Sequence, residues 1–122
     1  MSLKERIAQA SDRAPKLVEV EEWGLTVGLR KLTLEDRNRL VLAARHLKNG
    51  GDEPDPAKVN DWALQLVVLC LVDEDGARIY ESEDEGRKAL LAKSAAVVDR
   101  LAEAAMEHNK LQESAVEDAQ KN

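Results

Sequence analysis

From Leu64 to Val72 the chain reads Leu64-Gln-Leu-Val-Val-Leu-Cys-Leu-Val72, apolar at every position but Gln65. This run constrains the fold more than any other segment. Asp55-Pro56 stands upstream as a helix start: an N-cap carboxylate followed by a ring whose fixed φ suits the first helical position. Val59, Trp62, Ala63, Leu66, Val67 and Cys70 then recur at helical spacing. Leu64, Val68, Leu69 and Val72 cover much of the opposite face. A helix apolar on most sides is either central to a core or shared with a neighbour, so the central helix is assigned here. Asp73-Glu-Asp-Gly76 closes the run as a turn, with glycine supplying the positive φ. The run is far shorter than the ~20 residues that cross a bilayer.

The flanking segments arrange themselves around that helix. Leu3, Ile7 and Ala10 form a weak apolar stripe before Asp12-Arg-Ala-Pro15 interrupts it, so residues 1–16 read as an arm, either flexible or helical. Val18 and Val20 alternate with Glu19 and Glu21; Leu25, Val27 and Leu29 alternate with Thr26, Gly28 and Arg30. Period two on both sides of Glu22-Trp23-Gly24 predicts a β-hairpin. A lone hairpin is marginal in water, so its apolar face must pack on helices or on another chain.

Thr33-Leu-Glu-Asp36 predicts a capped helix with Leu34, Leu40, Val41, Ala44 and Leu47 inward, stopped by Asn49-Gly50-Gly51. Ala77-Arg-Ile-Tyr80 reads as a short strand or an extended link. Ser82-Glu-Asp-Glu85 is a second capping box, opening a helix that carries Ala89, Leu90 and Leu91. Ser94 starts the next helix, with Val97, Val98, Leu101, Ala104 and Ala105 inward. Asn109 followed by Leu111 predicts an Asn-type helix end with its hydrophobic contact. A last short helix is expected from Ser114 to Ala119.

Aromatic residues are limited to Trp23, Trp62 and Tyr80. A core of Leu, Val and Ala favours helices over a large sheet. The expected fold class is therefore mainly α with a small N-terminal β-hairpin (α+β), a single compact domain of four to five helices. Its expected bounds are an arm at 1–16 and a helical domain at 17–122, a length that suits one core. The single Cys70 excludes an internal disulfide and fits a reducing cytoplasm. The first residues form no apolar signal region.

Catalytic and metal chemistry find no constellation. With Gly76 at the sixth position of a calcium loop, the first position would be Leu71 and the twelfth Ser82, neither of them a carboxylate. His46 and His108 lie in different helices, with no HExxH and no cysteine partner for zinc. Each stands near a helix end, where a cationic group complements the dipole. Cys70 lies within the apolar stripe and reads as a small buried hydrophobe. The glycines form neither GxGxxG nor a P-loop, and no nucleophile elbow is present. The chain is read as a non-enzyme with no cofactor and no metal.

Charge is unevenly spread. Six basic residues between Arg30 and Lys48 face two acids, a net +4. Eleven acids between Asp52 and Glu85 face two basic residues, a net −9. With a total charge of −6, uniform nucleic-acid binding is not expected. The +4 stretch keeps one alternative open: a small helical regulatory or nucleic-acid-binding module of the antitoxin kind, using Arg30–Lys48. The two patches either complement one another between copies of the chain or lie on solvated faces or pair within one chain. Candidate interaction residues are Trp23 at the hairpin tip, Arg37 and Arg39 in the basic stretch, and Asp73 and Asp75 in the acidic turn. An exposed Trp23 would be an interface anchor; one folded back over the hairpin would be core.

Three segments in this order carry a family resemblance: Val18-Glu-Val-Glu-Glu-Trp23-Gly24, the helix ending in Leu71-Val-Asp-Glu-Asp-Gly76, and Ser94 through Leu111. Over roughly residues 17–120 the chain resembles the tail assembly chaperones of long-tailed phages and prophages. The resemblance implies a scaffolding protein of the host bacterial cytoplasm, absent from the mature virion. It would bind the tape measure protein and keep it soluble and extended until tail tube subunits polymerise around it. It also implies contact with the tail tube protein through a longer frameshift product, and a weak homo-oligomer.

Overall fold

The computed structural model describes residues 1–47 and 53–111. Along the chain they form α1 (Leu3–Gln9), β1 (Lys16–Val20), β2 (Leu25–Leu29), α2 (Leu34–Ala44), α3 (Pro56–Cys70), β3 (Leu71–Val72), α4 (Glu83–Leu91) and α5 (Ala95–His108). The architecture is mainly helical with one small antiparallel sheet, the α+β class expected.

Helix α3 is the centre, touching α2, α4, α5 and β2. The Asp55 side chain accepts from the Ala57 amide at 3.0 Å, and Pro56 opens the first turn. Trp62, Leu64, Leu66, Val67, Leu69 and Cys70 are all buried, so burial goes round the helix. Its end corrects the sequence reading. The helix stops at Cys70, and Leu71 and Val72 leave it as β3, pairing with Leu29 and Gly28. The Arg30 amide also donates to the Cys70 carbonyl at 2.9 Å. Two residues of strand turn the hairpin into a three-stranded sheet of order β1-β2-β3, which supplies the partner a lone hairpin lacks.

Lys16 pairs with Leu29 and Val20 with Leu25, so the loop is Glu21–Gly24, a single 3-10 turn ended by Gly24 at φ +64°. Val20, Val27 and Leu29 point inward; Leu17 and Leu25 stay exposed. The tip is tied to α5 by Arg100, whose two guanidinium nitrogens donate to the Glu22 carboxylate at 2.8 and 2.9 Å. Those bonds hold the Glu22 carboxyl below the usual carboxylate range.

Thr33 caps α2 as expected, its hydroxyl accepting from the Asp36 amide at 3.1 Å. Leu40, Ala44 and Leu47 are buried, but Leu34 is 73% exposed. Six residues of α-helix put Leu34 about 120° away from Leu40, off the stripe. The helix also ends earlier than expected, at Ala44; Asn49-Gly50-Gly51 lie outside the described residues.

Between β3 and α4 the Asp73–Gly76 turn forms, with Gly76 at φ +89°. The segment after it makes one bridge, Arg78 to Val72, and no longer strand. The Ser82 hydroxyl accepts from the Glu85 amide at 3.1 Å, while the Glu85 carboxylate reaches one residue further back, to the Glu81 amide at 3.2 Å. Leu90 is buried and Leu91 exposed. In α5, Val97, Leu101, Ala102 and Ala105 are buried, and Val98 and Ala104 pack at the edge of the core.

Asn109 is the C-cap of α5, as expected, but the left-handed residue falls one position later. Asn109 has φ −93°; the left-handed residue is Lys110 at φ +56°. The Lys110 amide donates to Glu107 O at 3.2 Å and the Leu111 amide to Met106 O at 2.8 Å, with Leu111 buried. This is the paired closure of a Schellman end. The Asn109 side chain instead ties the helix end to distant backbone: Oδ1 accepts from the Leu32 amide at 2.7 Å, while Nδ2 donates to Ala105 O of its own helix at 3.0 Å. Residues 114–119 lie outside the described residues. The arm contains α1, capped by Ser2 and without a buried residue; Leu3 and Ile7 are exposed.

Candidate interaction surface

Helices α2 and α3 pack side by side and leave a groove between them. Its apolar floor is Leu40, Ala43, Leu47 and Trp62, and the cavity measures about 600 Å³. His46, Lys58, Asp61 and Arg87 stand around it, so the rim carries both signs of charge. The helical spacing that buries Leu40 and Ala44 presents Ala43 to solvent one step round α2. Trp62 is fixed by its own hydrogen bond, the indole Nε1 donating to Leu40 O at 2.8 Å. On the far rim Arg87 reaches from α4 to α3, donating to Gln65 at 3.0 Å and pairing with Asp61.

The Trp62 bond yields a direct test. Trp62→Phe keeps most of the apolar surface and removes the donor. Leu40 O also sits in a helical ladder, so the expected loss is about 0.5–1.5 kcal/mol, that of one hydrogen bond. A denaturant melt compared with the parent chain measures it. A loss near 4 kcal/mol would mean that the indole packing, not the bond, dominates.

A second depression, about 540 Å³, lies beneath the hairpin tip. Trp23 lines it with Leu25, Leu71, Tyr80 and Asp73. Trp23 is half-buried and folds back against the core. The fold thus brings Trp23 and Asp73 to one place. Asp73 is exposed, and its carboxylate accepts from the Asp75 and Ala77 amides at 2.9 Å each, holding the turn; Asp75 is exposed.

The basic residues go elsewhere. Arg37 is exposed on α2. Arg39 pairs with Asp36 at 3.3 Å and with Glu83 of α4 at 3.2 Å, so part of the charge complementarity is satisfied within one chain. Arg30 donates from Nε to Leu69 O at 3.2 Å.

Among the described residues no three His, Cys, Asp or Glu side chains gather as a metal site. Burial pushes the Cys70 thiol up to about 12, which keeps it protonated and unreactive at neutral pH. The groove residues Ala43, Lys58 and Arg87 escaped sequence reasoning. Each is unremarkable on its own helix, and only the packing of α2 and α4 on α3 makes them neighbours.

The family model described as phage tail assembly chaperone matches residues 2–122. No curated protein matches the chain. Among solved structures, the chain is similar to the bacteriophage HK97 tail assembly chaperone, with a TM-score of 0.59 and 22% sequence identity over 85% of this chain and 94% of that one. At this identity the likeness is one of fold.

Proposed function

The chain belongs to the phage tail assembly chaperone family, and from that premise we propose that it binds the tape measure protein and keeps it soluble and extended until the tail tube polymerises. The observation that carries this reading is the groove between α2 and α3. An apolar floor with a rim of mixed charge suits an amphipathic helix laid along it, the kind of segment that a long, hydrophobic, helical client would offer. The chain acts without catalysis, in the host cytoplasm, and leaves before the virion matures. Contact with tail tube subunits comes through a longer frameshift product.

Weak self-association belongs to the same proposal. A coat that grows along a rod requires one patch to meet a different patch on the next copy. Arg37 on one side and Asp73 and Asp75 on the other are exposed and suited to it, while Trp23 adds half-buried apolar surface. Arg39 is already engaged with Glu83. The same engagement weighs against a nucleic-acid reading of the basic stretch.

Co-expression tests the proposal. The tape measure protein should be recovered in the soluble fraction with this chain and largely as aggregate without it. Ala43→Glu places a charge on the groove floor at an exposed helical position, where folding tolerates it. It should lose most of the solubilising effect while its melting temperature stays within a few degrees. Equal client solubility with and without the chain would remove the proposal's support.

A further inference from the structure

A smaller cavity of about 170 Å³ opens where the end of β2, the end of α3 and the cap of α4 meet. One water needs roughly 10–15 Å³ of such space, so a small chemical group fits. Two guanidinium side chains line it, Arg30 and Arg78. Both are held by backbone: Arg30 Nε donates to Leu69 O at 3.2 Å, and Arg78 Nη2 donates to Glu81 O at 3.3 Å beside its bridge to Val72. Among the described residues neither forms an ion pair.

The two carboxylates in the wall, Asp36 and Glu83, are both taken by Arg39. Arg13 stands close to Arg30 as well. Its Nε donates to Lys31 O at 2.8 Å, and its Nη2 is cut off from solvent with no acceptor. Burial, then the neighbouring Arg13 and Arg78, disfavour the charged form of Arg30. Arg30 and Arg78 thus line the cavity without an ion pair of their own, with Arg13 nearby outside it, against a wall that adds Ser82, Leu71 and Tyr80 to the two carboxylates.

We infer that this cavity takes an acidic side chain presented by a protein partner, its carboxylate between Arg30 and Arg78 and its methylene stem against Leu71 and Tyr80. A guanidinium fork matches a carboxylate in geometry as well as charge. A single negative charge suits the site better than a phosphate dianion, because Asp36 and Glu83 stand in the same wall. The cavity shares no lining residue with the α2–α3 groove, so the two sites fail or stand separately.

The test uses the full chain, isotope-labelled, with the arginine Nε–H and backbone amide signals followed by NMR. The probe is N-acetyl-glutamate methylamide, with the glutamine analogue and inorganic phosphate as comparisons. The glutamate probe should shift Arg30, Arg78 and Tyr80 along one saturable curve, and the glutamine analogue should not. Arg78→Gln should weaken the fitted affinity at least tenfold with the remaining amide spectrum preserved, and Arg78→Lys should fall between. Shifts that fail to saturate or that spread over all exposed arginines would overturn the inference. So would unchanged affinity in Arg78→Gln, or saturation by phosphate but not by the glutamate probe.

Discussion

Leu66→Ala should destabilise the chain by about 2–5 kcal/mol, the range for truncating a large buried aliphatic side chain. Leu66 lies in the second half of α3 and is fully buried, within the helix that α2, α4, α5 and β2 all touch. Removing its branched end leaves a void lined from several directions, and a core shared among four elements collapses poorly onto it. Urea unfolding should show a lower midpoint at nearly unchanged slope, the mark of lost stability without a change in the surface exposed. Leu34→Ala is the matched control. Leu34 is mostly exposed, so the same truncation should stay within about 0.5 kcal/mol. Similar losses at the two positions would contradict the packing of α2 on α3.

Gly28→Ala should cost roughly 1–3 kcal/mol, and the cause differs. Gly28 is buried in the middle strand and pairs with Leu17 on one side and Val72 on the other. A Cβ there would stand 2.7 Å from Asp73 O and 3.0 Å from both Pro15 Cβ and Val72 Cγ2. The first of these is backbone, and it already accepts from the Gly76 amide at 3.0 Å. It cannot retreat without loosening the turn that follows β3. Hydrogen exchange should therefore show the Leu71–Gly76 amides losing protection more than those of α5. A substitution that is neutral in melts and exchange would mean that β3 does not dock on β2 at this distance.

Gly28 also shows where reading the chain alone stops. In the sequence it is one more alternating position of a hairpin strand, and its neighbours at 15, 72 and 73 are remote. The same holds for Asn109. Its spacing to Leu111 located the helix end, because that closure is local. The hydrogen bond its side-chain oxygen accepts from the Leu32 amide joins residues far apart in the chain and left no trace in the pattern.

What the sequence by itself determined are features whose energetics need only near neighbours. Thr33, Asp55 and Ser82 cap their helices because each side-chain oxygen finds an amide two or three residues on. Period two made the hairpin, and Gly24 and Gly76 took the left-handed turns. The apolar run had to be central because no single face could bury it. The interaction surfaces were legible only in part: Trp23 could be named, but not that it folds back beside Asp73, and the +4 stretch could be counted, but not that Arg39 spends its charge on Glu83. Tertiary structure decided those, and it decided that Leu71 and Val72 leave the helix. Their apolar side chains suit helix and strand alike. What separated the two outcomes was the edge of β2, whose unpaired amides and carbonyls lie some forty residues away in the chain and offer partners only once the hairpin has docked.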